Sequence, residues 1–560
     1  MLKKLILFVS SFIIVSLGQP AHVPWFGPLA AVFGFALIFW FLIDIPTPKK
    51  RFYWGWAWCT LVQLFQLSWS ITHPYAYIYP LWLGLSALFG AQFGVMAIYL
   101  TRERLQTVFG VFFFPAFWVL MEWARLFLLS GFSWNPVGLA LTTFVVPFQA
   151  ASILGVFGLS FLVILTNILT LKWLMNRRTS LVPFLAVASF PYVFGIGHMV
   201  LHHPKMQQEV EEGRTVDVLL VQTAFPVEEV MELQDAQTRL LYTYGKWKEI
   251  LSILSRHHHR DEVDMIVFPE YVVPYGTYYP VYPLESVKQE FRSWFGEKGI
   301  KALPELEEHL AMSVDAGNGK KLWMVNNAFW MQGISNLFNA EVVAGLEDTD
   351  VISPTNKQRF CSAMVFFPNG DSIERYSKRV LVPLGEYIPF EFLREIARNY
   401  DVAGSFTPGS KAKVITGRTG NYGLSICYEE TYGNVMRDNR LEGAEMLVNL
   451  TNDFWYPRSL LMKQHFDHAK VRAVEMGIPL VRATNTGITA AVDSLGQTLD
   501  ILGEEESREH LSDALFVTVP RYHYRTLYTY LGDSPLMLFS ALFVSMSMAM
   551  GRKKKIPSII

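Results

Sequence analysis

Cysteine is scarce in this chain. Three occur in 560 residues, Cys59, Cys361 and Cys427, and the first lies in an apolar segment, so no disulfide framework is implied. Cys361 with Cys427 is a pair on paper only, because disulfide geometry is demanding. A long basic tract is also missing from the soluble-looking part, and the formal net charge is −1, which removes the electrostatic case for nucleic acid. No internal repeat or low-complexity tract interrupts the sequence. The opening "MLKKLILFVSSFIIVSLGQP" has the basic flank and apolar run of a signal peptide but no small-residue cleavage site. Another apolar segment follows almost at once, so a retained anchor is expected.

What the chain has in abundance is apolar sequence, concentrated in the first two hundred residues and a short tail. Runs of about 20 apolar residues can cross a bilayer as helices, since every backbone polar group must there be bonded internally. Seven such spans are expected before residue 201, at about 3–19, 25–45, 52–72, 78–101, 107–129, 145–172 and 180–201, and an eighth at about 533–550. Basic residues give their direction. Lys3 and Lys4, then Lys49 to Arg51, Arg102 and Arg104, Lys172 with Arg177 and Arg178, and "GRKKK" at 551–555 all fall on one side if eight spans alternate. The intervening loops "GQPAHVPW" and "THPYAYIYP" carry neither Lys nor Arg. Both termini are therefore expected in the cytoplasm and the segment at about 202–530 outside it. This divides the chain into 1–201, 202–530 and 531–560. Span five contains Glu122 and Arg125, three residues apart and able to meet on one helical face, either as a functional pair or as a structural ion pair.

From about 216 the pattern changes to short apolar runs: "VDVLLVQT", "DMIVFPE", "KLWMVNNAF", "FCSAMVFFP", "YGLSICYEE", "EMLVNLTND" and "LVRATNTG". Such runs are buried strands, and 235–256, 286–312 and 463–477 are expected as helices between them. The alternation predicts an α/β layered domain of about 300 residues. Three segments end in a reactive residue type: "MIVFPEY" in Glu270, "RYSKRVLVPLGEYIPF" in Lys378 and Glu386, and "LSICYEE" in Cys427. Strand ends are where α/β sheets gather side chains from distant parts of a chain. Taken singly, each has a bland reading as a surface charge or a core thiol. Together they make a nucleophile, a base and a cation. The run "RHHHR" at 256–260 is expected as a solvated face, since consecutive histidines on a helix point in different directions.

The segments "FPEY", "SKRVLVPLGEYIPF", "ICYEE" and "NLTNDFWY", followed by "RAVEMGIPLVRATNTG", resemble the nitrilase superfamily. With apolar spans on both sides, nearly the whole chain resembles the membrane family of apolipoprotein N-acyltransferases, including the stretch from "EW" to "NPVG" in span five. The resemblance implies a polytopic membrane domain of about eight transmembrane helices plus an αββα sandwich. It implies Glu270, Lys378 and Cys427 as the catalytic set and Glu386 as a further essential glutamate. Tyr428 and Glu429 then stand in the pocket wall. The activity implied is transfer of an acyl chain from a membrane phospholipid, through a cysteine thioester, to the α-amino group of a diacylglyceryl-cysteine apolipoprotein. Neither cofactor nor metal is called for. The partners are the phospholipid donor, the diacylated apolipoprotein and the bilayer, and the location is the bacterial inner membrane with the catalytic domain on the periplasmic side.

The Tyr- and Pro-rich loop "YVVPYGTYYPVYP" after Glu270 is expected either as a lid admitting lipid or as an ordinary packed loop, with Trp455 of "NDFWYP" at the same mouth. Two positions depart from the family pattern: Met231 stands where a tryptophan follows the "VQ" strand, and "RFCS" brings Cys361 where tyrosine and asparagine are usual. Both bear on substrate positioning. Two rival readings are a membrane-tethered nitrilase-type amidase, in which water finishes the thioester, and a non-catalytic membrane protein such as a transporter with a binding domain.

Overall fold

The computed structural model describes residues 2–128, 131–178, 180–226, 236–259, 263–315, 321–353, 356–370, 372–389 and 406–553. Met231 and Arg260 lie outside them. The described residues form two compact units, one of 1–205 with 456–477 and 524–560, the other of 206–455 with 478–523.

The first unit is helical. Helices α1 (Leu2–Leu17), α2 (Phe26–Ile43), α3 (Pro48–Gln66), α4 (Ile78–Ile98), α5 (Val108–Ala124), α6 (Ala151–Met175) and α7 (Val182–Glu211) coincide with the seven expected early spans. Backbone groups left open inside these helices find side-chain partners, as a bilayer interior requires. A π-helical turn at Ala30–Gly34 disturbs the ladder of α2, and Asn167 of α6 repairs it: Ala36 N–H donates to its Oδ1 at 2.9 Å, and its Nδ2 donates to Ala31 O at 2.8 Å. Glu122 accepts from Trp118 Nε1 at 2.7 Å and from Val137 N at 2.8 Å. Arg125 Nε donates to Gln92 Oε1 at 2.9 Å while its guanidinium lies over Phe89. These contacts tie α5 to α4 and to the "NPVG" segment, which is a structural use of the two charges.

The second unit is layered. One sheet has the order β15-β1-β2-β6-β7-β8, from β1 (Thr215–Gln222), β2 (Met265–Val267), β6 (Glu341–Ser353), β7 (Asn356–Phe366), β8 (Ile373–Ser377) and β15 (Asp513–Pro520). The other has the order β14-β13-β12-β11-β10-β9, from β9 (Val414–Gly417), β10 (Gly420–Ile426), β11 (Met446–Thr451), β12 (Leu480–Thr484), β13 (Ala490–Val492) and β14 (Thr498–Ile501). Each sheet has a parallel centre, β1-β2-β6 and β10-β11-β12. A small third sheet joins β3 (Tyr282–Pro283), β4 (Ala311–Asp315) and β5 (Lys321–Val325).

The two large sheets bury one shared core, with Val218, Leu220 and Val267 from one side and Leu424, Val448 and Val481 from the other. The outer face of the first sheet is covered by α8 (Ala236–His257), α9 (Leu284–Lys301) and α10 (Asn327–Phe338), where Trp247 stacks on Trp330. Helix α11 (Gly433–Leu441) lies on β10, its Asn439 Nδ2 donating to Leu424 O. The order is helix, sheet, sheet, helix. The helix expected at 286–312 stops at Lys301, because Pro304 cannot continue it and the chain turns into β4 instead.

Two late helices, α12 (Leu461–Met476) and α13 (Ser534–Lys553), belong to the first unit. Glu475 of α12 accepts from Val156 N at 2.7 Å, where Gly155 breaks α6 with φ of 65°; a Cβ there would meet the Tyr528 ring at 2.3 Å. Helix α13 coincides with the eighth expected span. Among the described residues, only five helices are long and apolar enough to cross a membrane, however: α2, α4, α5 extended to Phe127, α6 and α7. The expectation of eight exceeds this because α1 has only 16 residues, α3 starts with Lys49, Lys50 and Arg51, and the apolar part of α13 is short.

Candidate active site

Pro269 ends the β2 ladder for want of an N–H, and the next residue, Glu270, turns in toward the neighbouring strands. Gly345 of β6 permits this: a Cβ on it would stand 2.5 Å from Glu270 Cα. Lys378 follows β8 directly, its N–H donating to Cys361 O of β7 at 2.8 Å. Cys427 follows β10 with φ of 52°, a left-handed conformation that a non-glycine residue adopts at a cost of about 1–3 kcal/mol. Such strain persists where the surroundings over-determine it, and here Glu429 does so. Its Oε2 accepts from Ile426 N at 2.8 Å and from the Tyr376 hydroxyl at 2.8 Å, and its Oε1 from Val380 N at 3.1 Å. One fully buried carboxylate thus ties the elbow before Cys427 to the segment after Lys378. Tyr428 is buried beside it, edge-on to Tyr432.

Three of the sequence-predicted residues meet around one ammonium group. Lys378 Nζ lies 2.9 Å from Glu270 Oε1 and 2.6 Å from Glu386 Oε1, with the lysine 1% exposed. Glu386 is held in turn by Val382 N, which donates to its Oε2 at 2.9 Å. Burial alone would lower the lysine's pKa, but Glu270 and Glu386 outweigh it and hold the ammonium well above the ordinary range. Glu270 stands above the ordinary carboxylate range because burial disfavours its charge more than Lys378 restores it. Burial, then the charge of Glu270, pushes the Cys427 thiol well up, so the sulfur rests as S–H. The charges of Glu270, Lys378 and Glu386 all act on that thiol. Glu270, Cys361 and Glu386 offer donor atoms close enough for a metal, yet Lys378 already supplies the cation between the two carboxylates. The set suits proton transfer better than metal binding.

Trp455 is half-buried two residues beyond Asp453. The loop after Glu270 is anchored along its length: Val272 N donates to Gly345 O, Thr277 N to Glu347 O, and Asn327 Nδ2 to Pro274 O and Tyr275 O. These bonds describe a packed loop in which Tyr278 and Tyr279 are the exposed residues. The histidine run is a solvated face only in part: Arg256 and His259 are exposed, but His257 is half-buried facing Asp513 and His258 packs on Phe295 and Phe338.

Sequence reasoning missed a buried charge cluster next to the elbow. Arg482 of β12 is fully buried, with Nε 2.9 Å from Glu430 Oε1 and Nη2 3.3 Å from Asp453 Oδ2. An arginine inside the apolar run "LVRAT" was its only signal. Removing one member of a buried ionic set typically costs about 3–5 kcal/mol. Arg482→Met is therefore expected to lower the thermal unfolding midpoint in detergent clearly, whereas a midpoint equal to wild type would mean the cluster contributes nothing.

The class follows from the fold: residues 232–511 match the carbon-nitrogen hydrolase family model, which is the nitrilase-like fold of the second unit. Residues 13–169 match the apolipoprotein N-acyltransferase N-terminal domain. The apolipoprotein N-acyltransferase of Chlamydia pneumoniae is 31% identical over 97% of this chain and 96% of its own. That of Chlamydia trachomatis serovar D is 30% identical over 99% and 98%. The chain belongs to the apolipoprotein N-acyltransferase family, and its apolar helices are those of a membrane protein.

Proposed function

We propose that the protein transfers an acyl chain from a membrane phospholipid to the α-amino group of a diacylglyceryl-cysteine apolipoprotein, through a thioester on Cys427. The observation that carries the reading is the buried Lys378 held between Glu270 and Glu386, with the partly exposed residue Cys427 close enough to feel the charges of all three. Glu270 takes the thiol proton as sulfur attacks the ester carbonyl, then returns it to the alcohol oxygen of the departing lysophospholipid. The amine of the acceptor attacks the thioester, Glu270 takes its proton, and the sulfur leaves and is reprotonated. Each addition places negative charge on the carbonyl oxygen. An ammonium has three N–H donors, and the two carboxylates use two of them, so Lys378 keeps one for that oxygen, aided by the backbone N–H of Tyr428. Glu386 holds the lysine in place.

On this reading the enzyme sits in the bacterial inner membrane with about eight spans, both termini cytoplasmic and 202–530 on the periplasmic side, in keeping with the positive-inside pattern. Its partners are the phospholipid, the diacylated apolipoprotein and the bilayer.

The test is to incubate the purified protein with phospholipid and a diacylated lipopeptide bearing a free α-amine. Mass spectrometry is expected to find one acyl chain gained by the lipopeptide and one lysophospholipid formed. Turnover of simple amides with no gain on the lipopeptide would sink the proposal in favour of a tethered amidase.

A further inference from the structure

A second thiol touches the carboxylate of Glu270. Cys361 projects from β7, opposite Glu347 of β6, and its Sγ donates to Glu270 Oε1 at 3.5 Å. Its carbonyl accepts from Lys378 N, so this one residue contacts both the base and the lysine. The thiol is 2% exposed. Burial, then the charge of Glu270, pushes its pKa well above the ordinary range, so it stays protonated and remains a donor throughout the working pH range.

A carboxylate oxygen carries two lone pairs. At Oε1 of Glu270 one is taken by Lys378 Nζ, and the Cys361 thiol points at the same atom. Oε2 is then the oxygen left to receive a proton. We propose that Cys361 is a positioning residue of the acyl-transfer reaction: its thiol fills Oε1 of Glu270, which fixes the carboxylate's rotation and directs the proton of Cys427 to Oε2. The proposal rests on the assignment of Glu270 as base and Cys427 as nucleophile. The other titratable groups around Glu270 are Lys378 and Glu386 after β8, Cys427 after β10, and the neighbouring Tyr271, with Asp453 acting on Cys427 from the turn after β11.

A donor to the charged form lowers a carboxylate's pKa, so removing it raises the pKa and leaves less base at low pH. In Cys361→Ala the acidic limb of the rate of acyl-enzyme formation, followed with labelled phospholipid from pH 5 to 9, is expected to move up by about half to one pH unit, the equivalent of one net hydrogen bond. The rate falls several-fold on the acidic side of the wild-type limb, and most of the loss is recovered on the plateau above it. Cys361→Ser, which keeps a donor, returns the limb toward wild type. Cys361→Val keeps the bulk without a donor and carries the same expectation should the alanine variant not accumulate. A limb unmoved in the donorless variants, or moved equally in the serine variant, overturns the proposal. Peptide mapping of the labelled protein keeps the two readings apart, since an acyl chain on a residue other than Cys427 defeats the proposed function whatever the limb does.

Discussion

Cys427→Ser is expected to form no thioester and to lose acyl transfer by about 10⁴-fold or more, the scale on which nucleophile replacements act. The reason is proton affinity. Glu270 lies above the ordinary carboxylate range, and Cys427 lies well above the ordinary thiol range, so even the natural pair rests as carboxylate and thiol rather than as acid and thiolate. Attack and proton transfer must therefore proceed together. A serine hydroxyl is a far weaker acid than a thiol, and the same carboxylate cannot move its proton at a useful rate. Labelled phospholipid and hydroxylamine release read the result directly: wild type gives a hydroxylamine-labile acyl group and Cys427→Ser gives none. A labile acyl group persisting in the serine variant would remove Cys427 from the chemistry. The same pKa directions predict a broad bell for the wild-type rate. Its acidic limb lies above the ordinary carboxylate value, and its basic limb lies beyond the ordinary thiol value, each belonging to the coupled set rather than to one residue.

The strand-ending reactive residues were legible because each sits where an apolar run stops. All seven apolar runs of the soluble part are strands, and Glu270 and Cys427 emerge from two of them. Strand β6 was not legible: its first half is buried, but "EDTDVIS" carries charges that look like a loop, and only pairing with β7 makes it a strand. The charge cluster of Arg482, Glu430 and Asp453 escaped for a related reason. Its members are brought together by the parallel order β10-β11-β12, and no local pattern announces a contact across that separation. Glu429 was visible beside the cysteine, but its bonds to both the elbow and the segment after Lys378 exist only in the fold. The spans were legible as helices. Their number was less so, because aromatic and apolar residues alone do not separate a full crossing from a shorter helix packed inside a bundle.

Lys378→Met is expected to lose activity by at least the roughly 10²- to 10³-fold of one oxyanion donor, and to destabilise the protein by about 3–5 kcal/mol near neutral pH. The methionine nearly fills the space, so the effect is electrostatic. It leaves Glu270, 4% exposed, and Glu386 facing each other with no cation between them. The sign of the pH dependence follows. In wild type the lysine pKa is raised, so its contribution is fully present below the unfolded lysine value and is lost only as pH rises through the folded one. In the variant the controlling group is Glu270, raised already in wild type and without its cation raised further. A carboxylate raised in the folded state destabilises above its unfolded pKa, and the penalty fades as pH falls through the folded value. The variant's unfolding midpoint in detergent should therefore approach wild type on going from pH 8 to pH 5. Adding Glu386→Gln, which removes one of the facing charges, should recover part of the loss at pH 8. Lys378→Arg provides the contrast, since it restores the charge but not the compact three-donor geometry. Stability should largely return while acyl transfer does not. A methionine variant whose deficit is the same at pH 5 and pH 8 would mean that packing, not the two carboxylates, sets the lysine's contribution.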